Sequence, residues 1–458
     1  MRKVFLLSLM MCLLRGNTFA QTENTFSVME NVFQSSYFNV SHIPNYRLSV
    51  TLPGLGGLST GLINNGFDLR SISRREADTL VIDGQKLVSG LAKNNQIGFN
   101  FSTDLLAIRF KARNTFISFN VSDRMYFRYN YPKEFMELLW YGNTRYLGQS
   151  LEINNLGIRA SIYREFGLSA AHEFGKLSLG ARVKLLQGFA NVHTATSKAN
   201  LFTSNSFDQL ELNSELLINT SGYNEEIYKD FQEGNNNKIE QRSRDILTDF
   251  SNRGFGLDAA ATYRLNKKIS FSGGFNNLGS IRWTRDVTNY ESKGVVDFRG
   301  VELNKLITDS SGIDFENYGD SIADRFKFTE TKKAYRSPLL ANYFASAAWN
   351  LTPSTRVTGM LYLEYFYGFR PATTIAVQQK IKRWFDFVVS WSTQYRQYDM
   401  VGVALMVKPG PLQIFIAGDN ILGAIDPFGL RSFNLRLGTN LVFGRIKSQD
   451  QLPKPDKL

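Results

Sequence analysis

Between Arg431 and Gly444 the chain reads RSFNLRLGTNLVFG. Phe433, Leu435, Leu437, Leu441 and Phe443 share one face with Thr439. Ser432, Asn434, Arg436, Gly438 and Asn440 share the other with Val442. A strict period of two is the mark of an extended strand with one apolar side. The same alternation returns in FDFVVSWSTQYR (385–396), ATTIAVQQKI (372–381), FGLDAAATYRL (255–265) and KLSLGARVKLL (176–186). Many such segments run ten or more residues. A tilted membrane strand needs about 9–11 residues, whereas a strand of a soluble domain is commonly about 5–6. Aromatic residues gather at segment ends, among them Tyr365, Tyr367, Tyr395, Tyr398 and Phe443, as interfacial girdles would.

No segment after the first twenty residues holds eighteen consecutive apolar residues, so helical spans are excluded. The expected fold is all-β: a transmembrane antiparallel β-barrel of about 14 strands, with 16 or 18 as alternatives. From Phe166 onward there are about fourteen candidate strands, some able to pair as hairpins above the membrane. Upstream lie Gln96–Ser102, Leu105–Lys111, Thr115–Tyr129 and Leu156–Tyr163. Arg164 falls on the apolar parity between Ile162 and Phe166, so either a turn occurs there or the two pieces are one long strand. Counting back from Phe443, the short turns Lys408–Pro411, Ile381–Trp384, Thr352–Thr355 and Asn266–Lys268 share the periplasmic end. The long gaps Ser221–Asn252 and Val301–Ser337 fall outside, as in outer-membrane barrels.

The first residues fit export. Arg2 and Lys3 precede an apolar run, Val4–Leu14, and Thr18-Phe19-Ala20 precede Gln21, a small-residue cleavage pattern. Residues 1–20 are therefore expected to be a cleaved signal peptide, and the location the bacterial outer membrane. The single cysteine, Cys12, lies in this leader, and the bulk of Met11 before it argues against lipid attachment there. The remaining chain can form no disulfide, thiolate metal site or thiol nucleophile. The net charge of +12 includes three positive charges in the leader and no concentrated basic run elsewhere. Outer-membrane lipid or lipopolysaccharide and other envelope proteins are the expected partners; nucleic acid is not.

Four regions follow: the signal peptide 1–20, an N-terminal plug or periplasmic segment 21–94, the barrel 95–443 and a disordered periplasmic tail 444–458. The plug segment contains LPGLGGLSTGL (52–62), which resembles a phosphate cradle. It lacks the Lys-Ser/Thr that a P-loop carries after its last glycine, and Ser59 stands where a dinucleotide motif has its third glycine. No nucleotide is expected. Pro53, Gly54, Gly56 and Gly57 are read instead as a hinge of the plug. In YPKEFMELLWYGN (131–143), Pro132 opens and Gly142 closes a helix whose Phe135, Leu138 and Leu139 either pack on the barrel mouth or line a hydrophobic ligand pocket.

Chemistry is sparse. His42, His172 and His193 are scattered with no metal-ligand spacing, and no G-x-S-x-G is present. Asp309, Asp314, Glu316, Asp320 and Asp324 match no EF-type loop. No enzyme activity, metal or cofactor is expected. On the lumen parity lie Arg182, Lys184, Arg264, Lys380, Arg396, Lys408 and Arg436, with Asp258, Glu364 and Asp386. Such a wall either wets a channel, biasing it toward anions, or holds a plug by ion pairs.

Three stretches, SSYFNVSHIPNYRLSVTLPGLGG, FNNLGSIRW and AGDNILGAIDPFGLRSFNLRLGTNLVFG, together resemble an uncharacterised, domain-of-unknown-function family of outer-membrane barrels from Gram-negatives that carry the type IX secretion system. The resemblance spans nearly all of the chain after the leader. That family is similar to the FadL-like fatty-acid transporter barrels, which implies 14 strands and an N-terminal plug. The chain departs from the pattern at FNVSHIP, where an Asn-Pro-Ala-like turn is usual, and in the fifteen residues after Phe443. No substrate is carried over. Two functions are expected from different classes: a passive channel for small hydrophobic or amphipathic molecules, or a structural barrel accessory to a secretion or surface-export complex.

Overall fold

The computed structural model describes residues 23–44, 46–54, 56–76, 79–205, 210–222, 247–298, 328–366, 369–382, 384–394, 397–421, 423 and 426–445. In chain order the strands are β1 (Tyr46–Thr51), β2 (Leu58–Asn64), β3 (Ser73–Glu76), β4 (Thr79–Ile82), β5 (Asn94–Ala112), β6 (Thr115–Pro132), β7 (Ser150–Glu152), β8 (Gly157–Phe174), β9 (Leu177–Thr203), β10 (Leu210–Ser221), β11 (Arg253–Arg264), β12 (Ile269–Trp283), β13 (Val287–Phe298), β14 (Thr329–Thr331), β15 (Tyr335–Pro338), β16 (Asn342–Asn350), β17 (Thr355–Tyr365), β18 (Phe369–Ile381), β19 (Phe385–Gln394), β20 (Gln397–Val407), β21 (Leu412–Asp419) and β22 (Ser432–Arg445).

Antiparallel pairing runs around a closed barrel of 14 strands. The ring closes where β22 meets β1 and β2, through Val50↔Leu441 and Leu62↔Phe433; the same two strands pair with β5 through Val50↔Ile108 and Leu62↔Phe99. Two positions in the ring are filled by two pieces each. β1 and β2 make the first, and β15 and β16, both laid along β12, make the second. Turns of two to four residues, such as Arg113–Asn114 between β5 and β6, join neighbouring strands at one end, here the turn end; at the other, only the gaps 366–368 and 395–396 between described ring strands are as short. Arg113, Gly175, Lys382 and Gly410 give these turns their left-handed residue. The long connections lie at the opposite, loop end.

The ring differs from the expected one in membership. β1 and β2 come from the stretch 21–94, so the boundary between inserted segment and wall falls before Tyr46 rather than at 94. Gln96–Ser102 and Leu105–Lys111 are one strand, β5, with a bulge at Asp104/Leu106 against β6. Leu156–Tyr163 and the stretch from Phe166 also join as one strand, β8. There Arg164 points outward and pairs at 2.7 Å with Asp123 of β6. β10 and β13 leave the ring. β9 has 27 residues, about 90 Å at roughly 3.3 Å each, far more than a membrane crossing needs. Its first part, Leu177–Gln187, pairs with β11 in the wall; its last part, Asn191–Thr203, pairs with β10, which pairs with β13, as a sheet arm beyond the loop end.

The faces are inverted relative to a soluble domain. Outward residues are apolar and uncovered: Leu168, Val183 and Phe255 are 58%, 58% and 65% exposed. Inward residues are polar and buried, as with Asn120, Glu165, Asp258, Gln413 and Asn440. An apolar belt of this extent around a polar interior has no stable place in water and suits a bilayer. Tyr365 meets Phe369 edge-on at the loop end (centroids 5.2 Å apart), and Trp349, Trp384 and Phe443 lie exposed near the turn end, which makes two aromatic girdles. Tyr367 and Tyr395, and residues 1–22 and 446–458, lie outside the described residues.

Candidate functional site: a plugged lumen

Residues 23–44 occupy the barrel interior. They begin with one helical turn, Asn24–Ser27, and continue through a 3-10 turn, Phe33–Tyr37. A helix this short has no stability of its own, and its first amide groups need partners. The wall supplies one: Asp419 at the end of β21 accepts from the amides of Asn24 (2.8 Å) and Thr25 (2.9 Å), from the Thr25 hydroxyl, and from Asn434 Nδ2 (2.7 Å). Further along, Gln413 donates to the carbonyl of Asn31 (2.8 Å), Asn440 bonds the Gln34 side chain (3.0 Å), and Arg182 donates to the Ser36 carbonyl (3.1 Å). Apolar side chains of the plug meet the wall on two sides: Phe26, Val28, Met29 and Val32 pack on Ala376, Val388, Ala404 and Phe415, and Phe33 and Tyr37 pack on Ala107.

Two wall glycines make room for it, and a third, Gly438, makes room for the inward bend of the wall at Gly56, whose carbonyl oxygen a Cβ there would meet at 2.6 Å. A Cβ on Gly180 would lie 2.4 Å from the Val40 carbonyl oxygen. A Cβ on Gly402 would collide with the Thr25 hydroxyl.

Arg182, Lys184, Asp258, Arg264, Glu364, Lys380, Asp386 and Arg436 point into the barrel, while Lys408 lies in the turn after β20. Arg182 and Lys184 reach Asp258 at 3.4 and 2.8 Å, and Lys184 is also 3.6 Å from Glu165, which holds Arg124 at 2.8 Å. Arg264 pairs with Glu173 at 3.1 Å, and Glu364 with Arg128 at 3.6 Å. Lys380 and Arg356 clasp Glu30 of the plug, and Arg436 pairs with plug Glu23 at 3.1 Å. Asp386 accepts from Asn31 of the plug, and Lys408 lies 4.5 Å from the Tyr46 ring centre. Arg396 lies outside the described residues. The charges are thus spent on each other and on the plug. The alternation could not name the partners Glu23, Glu30, Glu165 and Asp419; Asp419 sits on the inward parity of AGDN, the one signal for it.

Two cavities remain beside the plug. One, of about 90 Å³, lies toward the turn end and is lined by Thr262, Ser270, Ser272, Ser346, Thr358 and Arg356, among others. The second, of about 130 Å³, lies toward the loop end between Asn100, Ser102, Tyr126, Tyr163, Asn277 and Asn342. Phe38, Asn276 and Tyr362 line both.

The remaining sequence candidates fall elsewhere. Pro53, Gly54, Gly56 and Gly57 lie in the wall, in the break between β1 and β2, and not in a hinge of the plug. Pro53 and Gly54 face outward, while Gly56 and Gly57 turn in. The Gly56 carbonyl accepts from Gln34, and Gly57 abuts the Asp104 carboxylate. The helix Lys133–Tyr141 sits at the loop end. Its Phe135 and Leu138 pack on Leu151, Ile153 and Leu201 at the sheet arm, and Leu139 is 63% exposed, so the three do not converge on a ligand pocket. His42 bonds the Glu30 carbonyl and His172 bonds Thr115, each within its own surroundings.

A family model described as a family of unknown function (DUF5723) matches residues 41–419. No curated protein matches the sequence. Among solved structures, the chain is similar to the Pseudomonas putida toluene transporter TodX, with 9% identity over 93% of this chain and 94% of that one and a TM-score of 0.37. It is also similar to the Ralstonia pickettii toluene transporter TbuX (8%, 93% and 95%, TM-score 0.40) and to a Pseudomonas aeruginosa FadL homologue (10%, 93% and 100%, TM-score 0.40).

Proposed function

The chain belongs to the DUF5723 family of unknown function, and from its own geometry we propose that it is an outer-membrane channel for small molecules, closed at rest by residues 23–44. The observation that carries this reading is how the plug is held. Besides its apolar contacts, it is tied to the wall by ion pairs and hydrogen bonds such as Glu23–Arg436 and Asn24–Asp419, and cavities lie beside it. Hydrogen bonds of this kind can be exchanged for water at modest net cost once water enters the lumen, which is what a movable stopper requires. Deleting residues 23–44 while keeping β1 should raise single-channel conductance in planar bilayers and speed solute entry into liposomes. Unchanged conductance from a folded deletion variant would defeat the reading.

The accessory-barrel alternative draws on the sheet arm of β9, β10 and β13, a large surface with no part in the lumen. Crosslinking in native membranes separates the two: an accessory barrel would give the same partner each time at the arm.

A further inference from the structure

We propose that solutes cross this barrel through the two cavities in series, and that the Phe38 ring, set against Asn276 and Tyr362, is the gate between them for small neutral solutes bearing hydroxyl or amide groups. This rests on the channel reading above.

The placement is direct. Thr262, Ser270 and Arg356 stand within three residues of the turn-end limits of β11, β12 and β17, so the hydroxyl-lined chamber opens toward that end. Glu364, Asn342 and Tyr126 put the second chamber nearer the loop end. Phe38, Asn276 and Tyr362 are the three residues that bound both chambers, and only Phe38 belongs to the plug. Asn276 Nδ2 donates to the Phe38 carbonyl (3.0 Å) and to Asn342 Oδ1 (2.9 Å). The plug main chain is therefore tied to the wall at this point, while the ring itself is half-buried and meets Phe26 edge-on at 6.1 Å. The ring can be removed, or can turn, without breaking the tie.

The lining sets the solute class. Around both chambers the cations have carboxylate partners: Arg356 with Glu30, Arg264 with Glu173, Arg124 with Glu165, Lys184 with Asp258 and Arg436 with Glu23. An ion passing through would have to compete with these pairs or be desolvated without one. A hydrocarbon would strip water from Ser272, Ser346, Thr358, Asn100 and Asn277 and return no hydrogen bond. A neutral polyol or amide exchanges water for these groups one for one.

The test uses the full chain in liposomes, with swelling followed in L-arabinose and in sodium gluconate, for the native chain, Phe38→Ala, Phe38→Tyr, and Phe38→Ala combined with Ser272→Trp. Phe38→Ala should admit arabinose clearly faster than the native chain, Phe38→Tyr should not, and Ser272→Trp should return the double variant to the native rate by filling the turn-end chamber. Gluconate should lag arabinose in every variant. If deletion of residues 23–44, or Gly180→Val, speeds arabinose and a folded Phe38→Ala does not, the plug acts as one body and the gate is refuted while the channel reading stands. A double variant as fast as Phe38→Ala would show a route that bypasses the turn-end chamber and overturn the series path, and faster gluconate would overturn the solute class. If no variant admits either solute, the channel reading itself falls.

Discussion

Lys184 is held between the carboxylates of Asp258 and Glu165, at 2.8 and 3.6 Å, and none of the three is more than 3% exposed. Removing the ammonium leaves two buried anions with only Arg124 and Arg182 to balance them. Lys184→Met should therefore cost about 3–5 kcal/mol, read as a shift in urea unfolding of the barrel in lipid vesicles. Arg164→Met, on the outer face with a partly exposed partner in Asp123, should cost far less in the same titration. At this scale the sequence was informative about direction and silent about partnership. Period two put Arg182, Lys184, Arg264 and Arg436 in the lumen because successive side chains of a strand must point to opposite faces. It could not pair Arg436 with Glu23, since that contact joins residues at the two ends of the chain, and nothing local encodes it.

Gly180, in the run LSLGARV, is a residue whose reason shows only at the level of elements. A strand interior gains nothing from glycine, so its presence implies a close approach. The approaching element is the plug backbone at Val40–Ser41. Gly180→Val should dislodge this stretch at a cost of about 1–3 kcal/mol, leave the barrel folded by its heat-shifted gel mobility, and raise solute entry. A second element-level tie lies outside the membrane. Asp68, in the connection between β2 and β5, accepts from Arg431 at 2.7 Å. Burial disfavours its charged form, but the bonds from Arg431 and Ser71 outweigh this and hold its carboxyl below the ordinary 3.8. A depressed carboxyl contributes its stability above the unfolded value and loses it as the pH falls through the folded one. An acid-active protease should thus cut the 65–93 connection more readily as the pH drops through that range, and Arg431→Gln should bring the same sensitivity to neutral pH. The element most misread from sequence was the first strand of the ring. Pro53 and the glycines after it punctuate β1 and β2 so strongly that local rules assign them to a flexible segment. Only pairing with β22 and β5 on either side identifies them as wall.

For the whole molecule, the alternation was enough to give a membrane barrel, because apolar-out and polar-in over long strands admits few other folds. It was not enough to say which strands cross. β10 and β13 alternate like their neighbours yet stand in the arm, since period two reports a two-faced sheet and not its depth in the bilayer. Membership in the ring is settled by long-range pairing, above all by the join between the chain's first and last strands. That join has a consequence for the order of assembly. Contacts between chain ends are the most distant in sequence and carry the largest loop-closure cost, so the seam along β1, β2 and β22 is expected to form late. The strand that completes it is interrupted at residues 52–57, and its inward bend is held by Gln34 of the plug at the Gly56 carbonyl. The seam of the ring and the seat of the plug thus share one contact, so a chain without residues 23–44 should still close, but with that bend released.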